Sequence, residues 1–124
     1  MLLSLLLLAD AVSGNCGKAP TQALANACAE RSWQEADAAM AREWRATYAA
    51  MKLRDTNDKS RGGGFGFAIA ALQSQRAWLK LRDDQCSWEG GVYGGGVAQP
   101  LARFSCMERM TNERAQALRE LRRN

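Results

Sequence analysis

The chain has 124 residues, 17 of them Lys or Arg and 13 Asp or Glu, so its formal net charge is +4. Hydrophobic residues make up 47% and charged residues 24%, a composition that excludes a disordered chain and leaves room for one globular domain. The sequence has no histidine, which excludes Ser-His-Asp and Cys-His catalysis and any His-ligated zinc, copper or haem site.

The first predicted element is a signal peptide over residues 1–14. Its apolar run at 2–8 (LLSLLLL) would span roughly 10 Å as a helix, too short to cross a hydrocarbon core of about 30 Å. A short apolar run followed by small residues is typical of a signal peptide, although no Lys or Arg precedes it. We expect cleavage before Asn15, which leaves 15–124 as one periplasmic or secreted domain without a transmembrane segment. A buried N-terminal helix and a lipidated Cys16 are the alternatives.

Four cysteines in a short secreted chain predict two disulfides. Their spacings, Cys16-x11-Cys28 and Cys86-x19-Cys106, lack the C-x2-C pattern of zinc sites, so we expect no metal and no cofactor. Three pairings are compatible with the sequence. We predict 16–28 and 86–106, because each closes a short local loop between a helix and its flanking segment. In the chain-entropy model each would stabilise the fold by roughly 3 kcal/mol.

A long helix is predicted after Pro20 and Thr21, a helix-start signal, because no Gly or Pro follows until beyond Arg54. Ser32 could cap a second helix and divide this stretch near residue 31. Residues 55–66 (DTNDKSRGGGFG) follow as a glycine-rich loop. The larger side chains of the stretch recur every three or four residues, as in an amphipathic helix: Trp33, Ala36, Met40, Trp44, Thr47, Tyr48 and Met51.

Two further helices are predicted, from about Phe67 to Trp88 and from about Ser105 to Leu121. Residues 90–100 (GGVYGGGVAQP) separate them as a second glycine-rich loop. The sequence therefore predicts an all-α fold: a small three- to four-helix antiparallel bundle stapled by two disulfides, with two Gly-rich loops. On the second helix a group of residues shares one side, with Ile69 and Arg76 close by: Ala68, Leu72, Leu79 and Cys86.

Three charged residues lie where the helical pattern predicts core positions: Asp37, Arg76 and Arg114. A buried charge must be paired or it costs several kcal/mol. We therefore expect Asp37 to pair with Arg76 or Arg114 across a helix interface. Such a pair would fix the register of the helices and carry no chemistry.

The second helix also carries Trp78 and Arg82, which are four residues apart and can stack. The carboxylates of Asp83 and Asp84 diverge by about 100° around a helix and so do not form a catalytic pair. We expect Glu89 to be solvated or to anchor the following loop. With no base and no nucleophile motif, the sequence predicts a protein that is not an enzyme.

The order of these residues resembles the LprI-like lysozyme-inhibitor domain family of bacterial envelope proteins. The resemblance covers 15–124 and is strongest in the block Gln75-Arg76-x-Trp78-Leu79-x2-Arg82-Asp83-x2-Cys86-x2-Glu89. Met40, Arg42-Glu43, Met110 and the triple glycine at 62–64 depart from its usual pattern. The resemblance implies a helical, disulfide-stapled envelope domain and, by the family name, lysozyme inhibition. It transfers no inhibitory residues, since the matching residues are of structural types. The matching residues outside the block are Cys16, Cys28, Asp37, Tyr48, Cys106, Thr111, Arg114 and Leu118.

Two functions are compatible with this sequence. The first is inhibition or binding of a lysozyme (muramidase) through a projecting loop, with Val92 and Tyr93 at its tip and residues 61–66 as the second choice. If both loops are flexible connectors, this idea fails. A bacterial muramidase is the easier target, since like-charged partners associate slowly. The alternative is an envelope interaction module that binds an acidic partner or anionic polymer through an arginine-rich tail. Export excludes nucleic acid. The tail residues are Arg114, Arg119, Arg122 and Arg123.

Overall fold

The computed structural model describes residues 16–124, so the predicted signal peptide lies outside the described residues. Within them the chain forms three long helices, α1 (Gln22–Asn57), α2 (Phe67–Gly90) and α3 (Gln99–Arg123), and no strand. Short 3-10 turns occur at Cys16–Lys18, Ser60–Gly62 and Gly91–Tyr93. The predicted all-α fold is confirmed, and so are the two predicted disulfides, Cys16–Cys28 and Cys86–Cys106. No helix in this part of the chain is long and apolar enough to cross a membrane.

Consecutive helices run antiparallel, as their short connections require. The contacts between α1 and α2 therefore join residues early in one helix to residues late in the other, as Asp37 with Arg82 illustrates. The same holds between α2 and α3. Consequently α1 and α3 run parallel, and these two helices share the most extensive interface. The disulfides and the α2–α3 loop lie at one end of the bundle, and the α1–α2 loop lies at the other.

The possible break at Ser32 does not occur, and the predicted start of the last helix is wrong. α1 runs without a break through Ser32, because Ala29 and Ala36 on either side are both buried and hold one continuous helix. The modest helix propensity of a single serine is too small to interrupt it. α3 begins at Gln99 rather than near Ser105, since Pro100 lies in the first turn, where proline lacks only an N–H that has no helical partner anyway.

The start of α2 is held by a side chain from α1. Gly66, the residue before α2, has no side chain to cap the helix, and its φ of +89° is one that glycine readily adopts. The Asp55 carboxylate takes this role by accepting hydrogen bonds from the backbone N–H groups of Phe67 (2.6 Å) and Ala68 (2.9 Å). A carboxylate at a helix N-terminus is also favoured by the helix dipole. Asp55 therefore fixes the angle between the two helices.

The core is built from small and flexible side chains, which lets the helices approach closely. The predicted face of α1 is confirmed, since Ala36, Met40, Thr47 and Met51 are all buried. A core with so few large residues gives limited stability, so covalent cross-links are expected to contribute much of it. The buried hydrophobic residues are Cys16, Ala25, Ala29, Ala36, Met40, Met51, Cys86, Cys106, Met107, Ala115 and Leu118.

Candidate protein-binding surface

The guanidinium of Arg82 links all three helices at the centre of the bundle. Arg82 is only 6% exposed. Its Nη1 donates to Asp37 Oδ1 of α1 over 3.0 Å and to Thr111 Oγ1 of α3 over 3.4 Å, and its Nε donates to Asp83 Oδ1 over 3.1 Å. The neighbouring Asp83 thus shares this cation instead of pointing away from it. A buried cation held this way sets the register of the helices.

The expected cross-helix ion pair exists, but its predicted cation is wrong. Asp37 pairs with Arg82, whereas Arg76 is exposed. The reason is the rotation of α2: the apolar side is bordered by Gln75 and Arg82, not by Ile69 and Arg76. Neighbouring side chains on a helix point in directions about 100° apart. A small error in the predicted direction of the apolar side therefore places Ile69 and Arg76 at its border instead of Gln75 and Arg82.

The guanidinium of Arg82 is also covered by two indole rings. Its centre lies 5.2 Å from the ring centroid of Trp78, as the four-residue spacing predicts, and 5.6 Å from that of Trp33. These cation–π contacts are formed around a buried group, where they are worth more than at an exposed site. The motif residues Trp78 and Arg82 are thus parts of one structural cluster.

Arg114, the other predicted partner of Asp37, takes part in a second cross-link. Its Nε donates to Gln75 Oε1 over 2.9 Å and its Nη2 donates to Ser74 Oγ over 3.2 Å. The buried Gln75 in turn contacts Met40 Sδ of α1 at 3.2 Å. Arg114 is half-buried, and burial lowers its pKa from the ordinary value. The motif residues Gln75 and Arg114 therefore serve packing.

Two members of the arginine-rich tail share one carboxylate within the fold. Glu43 of α1 forms ion pairs with Arg119 (3.2 Å) and Arg122 of α3. Hydrogen bonds from Arg122 and then from Arg119 lower the pKa of the Glu43 carboxyl. With Arg114 half-buried as well, Arg123 is the exposed member of the predicted patch. The tail therefore gives little support to a site for an anionic polymer.

The opposite end of the bundle carries a rigid junction between α2 and α3. The Cys86–Cys106 disulfide is buried there, and Met107 packs beside it. Gly90 lies so close to α3 that a Cβ atom at this position would be 3.3 Å from the Cβ of Arg103. A side chain at 90 would require its neighbours on α3 to shift by a few tenths of an ångström. The covalent bond and the close approach together fix where the following loop leaves α2.

Glu89 strengthens the same junction, in agreement with the expectation that it anchors the loop. Both of its carboxylate oxygens accept from Arg109 Nη2 of α3 at 3.0 Å, and Gln85 contributes a weaker bond of 3.4 Å. The hydrogen bond from Arg109 is the main cause that lowers the pKa of the Glu89 carboxyl. Because the pair is exposed, its contribution to stability is small, of order 0–1 kcal/mol.

The loop between α2 and α3 (residues 91–98) is an ordered series of turns and not a flexible connector. Two backbone hydrogen bonds of 2.9 Å close successive turns within it. Gly94 and Gly95 adopt φ values of +59° and +79°, which side-chain-bearing residues rarely adopt. Asn26 Nδ2 of α1 donates to Val97 O over 2.9 Å. The loop, which connects α2 to α3, is therefore also bonded to α1.

This ordered loop and the end of α2 expose a group of large apolar side chains, which we call the loop-end surface: Trp88, Val92, Tyr93 and Val97. Trp88 is 82% exposed, Val92 83% and Tyr93 53%. Trp88 and Val92 flank one shallow hollow together with Gln85 and Glu89. Leaving a tryptophan this exposed is unfavourable unless a partner covers it.

Trp88 is the member of this surface that helix periodicity does not single out, because periodicity identifies buried positions and Trp88 marks only the end of the predicted second helix. The available signal was its place outside the apolar side of α2, next to a loop that contains Val92 and Tyr93. A large aromatic residue on the solvent side of a helix is a stronger indication of binding than one on the apolar side.

The loop that contains the second choice, residues 61–66, is held by the Asp58 carboxylate. Its two carboxylate oxygens accept from the backbone N–H groups of Ser60 (2.9 Å) and Phe65 (2.8 Å). These two hydrogen bonds, that of Ser60 first, lower the pKa of the Asp58 carboxyl. Phe65 is exposed but packs against Phe67 with ring centroids 4.9 Å apart. Phe65 is also less exposed, at 51%, than Trp88 or Val92 of the loop-end surface.

Comparisons with known proteins agree with this arrangement. The chain matches the family model for the lysozyme inhibitor LprI over residues 13–118, which includes both disulfides and nearly all of the three helices. An uncharacterised protein of Rhizobium meliloti (strain 1021) is 33% identical over 108 residues, covering 86% of this chain and 78% of that protein. No solved structure matches the chain. In residues 16–124 no group of three or more acidic or cysteine side chains could hold a metal ion. The chain belongs to the lysozyme inhibitor LprI family.

Proposed function

We propose that this protein is a non-enzymatic inhibitor of a muramidase, and that it binds the enzyme through the loop-end surface. The observation that carries the proposal is an 82% exposed tryptophan beside a glycine-rich loop that is closed by its own turns and bonded to α1. Membership in the LprI family supports the activity. The predicted signal peptide and the two disulfides support action in the periplasm or outside the cell.

The loop-end surface has the physical properties of an efficient binding site. Tryptophan and tyrosine dominate the binding energy of many protein interfaces, because they bury a large area with few rotatable bonds. The loop beside Trp88 is already fixed by Cys86–Cys106, by Glu89–Arg109 and by the bond from Asn26. Little further ordering is then needed when a partner binds, which favours affinity.

A muramidase is a suitable partner because its substrate cleft is a concave groove that must accept an extended glycan. A narrow projection such as Trp88 with Val92 and Tyr93 could fill such a cleft and exclude the substrate. The net charge of +4 favours an enzyme that is not strongly basic, since repulsion between like charges slows association. We therefore expect stronger inhibition of a bacterial muramidase than of a basic animal lysozyme.

The test is a cell-wall lysis assay with the purified, oxidised protein, added at increasing molar ratio to each of the two enzymes. We expect inhibition near an equimolar ratio, and we expect Trp88→Ala to weaken it at least about tenfold. Ile69→Ala is the matched control, because Ile69 is also exposed on α2 but lies at its other end. Absence of inhibition by the folded protein would contradict the activity. Equal inhibition by Trp88→Ala and the parent protein would contradict the assigned surface.

A further inference from the structure

The end of the bundle away from the loop-end surface contains a second feature, an apolar groove between all three helices. Its volume is about 330 Å³, within the range of small-molecule sites. Thr47, Met51 and Leu118 are buried residues that line it. We call it the far-end groove, and it is also lined by Arg54, Phe67, Ala71, Ser74 and Arg114.

Two arginines border this otherwise apolar groove. Arg114 is half-buried, and its bonds go to the neutral groups of Gln75 and Ser74. Arg54 lies with its guanidinium 5.1 Å from the ring centroid of Phe67. Among the residues that the structure describes, neither arginine forms an ion pair with a carboxylate. By contrast, Arg119 and Arg122 of α3 share the carboxylate of Glu43.

A half-buried cation without an anionic partner is unfavourable, because it has lost water and gained no opposite charge. Burial accordingly lowers the pKa of Arg114. The Ser74 hydroxyl accepts from Arg114 and keeps its own hydrogen available for a second acceptor. An anionic group placed at this point would receive charge-assisted hydrogen bonds from Arg114 and a hydrogen bond from Ser74.

We propose that the far-end groove binds a medium-chain fatty acid, with its carboxylate at Arg114 and Ser74 and its acyl chain along the apolar floor. Along α2, Ser74 and Phe67 are separated by two helical turns, or about 10 Å. The acyl chain would cover Met51 and Leu118 over this distance and end near Phe67. A mainly apolar groove with the half-buried Arg114 at its Ser74 end, and with the Arg54 guanidinium against the Phe67 ring at the other, matches an amphiphile with an anionic head better than it matches a sugar or a peptide.

The experiment is a calorimetric titration of the purified, oxidised protein with decanoate and, separately, with decyltrimethylammonium, which has the same chain length and a positive head. We expect saturable binding of decanoate and no binding of the cationic amphiphile. Arg114→Gln should weaken decanoate binding about tenfold or more. Arg76→Gln is the matched control, because Arg76 is exposed on α2 and lies outside the groove.

A second variant keeps the test valid if Arg114→Gln does not fold. Ala71→Leu fills the groove with a good helix former and should abolish decanoate binding, whereas Ala77→Leu, on the exposed part of the same helix, should not. The proposal is overturned if decanoate does not bind, if both amphiphiles bind equally, or if Ala71→Leu binds like the parent protein. Trp88→Ala should retain decanoate binding, so the outcome is independent of muramidase inhibition.

Discussion

The ion pair between Asp37 and Arg82 is the best place to test whether buried charge holds the bundle together. The change is Asp37→Ala, which leaves Arg82 with Asp83 and Thr111 as its hydrogen-bond acceptors. The Arg82 side chain is 7% exposed and that of Asp37 is 43% exposed, so the pair is intermediate between a surface pair and a buried one. A surface pair is worth about 0–1 kcal/mol, and breaking a fully buried pair costs about 3–5 kcal/mol.

We therefore expect Asp37→Ala to lower the free energy of unfolding by about 2 kcal/mol, which corresponds to about 8 °C in Tm for a domain of this size. Arg82→Met should cost more, since it also removes the donor to the fully buried Thr111 hydroxyl. Chemical denaturation of both single variants and the double variant would give a coupling energy of about 1–2 kcal/mol.

The matched control for this measurement is Asp84→Ala. Asp84 forms a 2.7 Å pair with Lys80 on the same helix, but both side chains are well exposed, so we expect a much smaller loss of stability than for Asp37→Ala. If Asp37→Ala costs no more than Asp84→Ala, the reasoning is refuted. It is equally refuted if the effects of Asp37→Ala and Arg82→Met are additive within about 0.5 kcal/mol, because residues that truly interact must couple.

Three further variants test the other supports of the fold. Asp55→Ala should cost about 1 kcal/mol in denaturant unfolding by removing the cap of α2; an unchanged midpoint would contradict that role. Replacing Cys86 and Cys106 together by alanine should cost roughly 3 kcal/mol, and a loss below about 1 kcal/mol would show that packing alone holds the junction. The folded-state pKa of Glu43 is lowered from 4.5, so its stabilisation is present above that pH and is lost as the pH falls through the lower value. Glu43→Gln should therefore lose less stability than the parent between about pH 5 and pH 2, measured by acid titration of the circular dichroism signal; equal slopes would refute the assignment.

Periodicity predicted the three helices and the buried face of α1, because burial repeats along a helix. On α1 the three- and four-residue recurrence of Ala36, Met40 and Met51 identified the core side correctly. The disulfide pairing could be predicted because each pair is close in sequence and the alternatives would link distant segments. These features depend on local spacing, which a sequence records directly.

The partner of Asp37 could not be predicted in the same way. To choose between Arg76 and Arg82, one must know the rotation of α2 about its axis to better than about 100°, the angle between neighbouring residues. That rotation is set by packing against two other helices. The order of the 91–98 loop was equally hidden, because its glycines are compatible with both a flexible connector and a series of tight turns. The hydrogen bond from Asn26 to Val97 O, which holds the loop near the start of α3, joins residues 71 positions apart.

The two ends of the bundle are stabilised by different means, and this difference fits the two sites that we propose. Both disulfides lie at the end with the loop-end surface, where a binding protein gains from a rigid Trp88 and a fixed loop. The far end is closed by noncovalent contacts, chiefly the Asp55 cap and the Glu43 ion pairs. Contacts of this kind open at a lower free-energy cost than a covalent junction does, so a ligand can enter the far-end groove without disturbing the opposite end. Decanoate should therefore slow amide hydrogen exchange around Phe67 and Leu118 and leave it unchanged around Cys86.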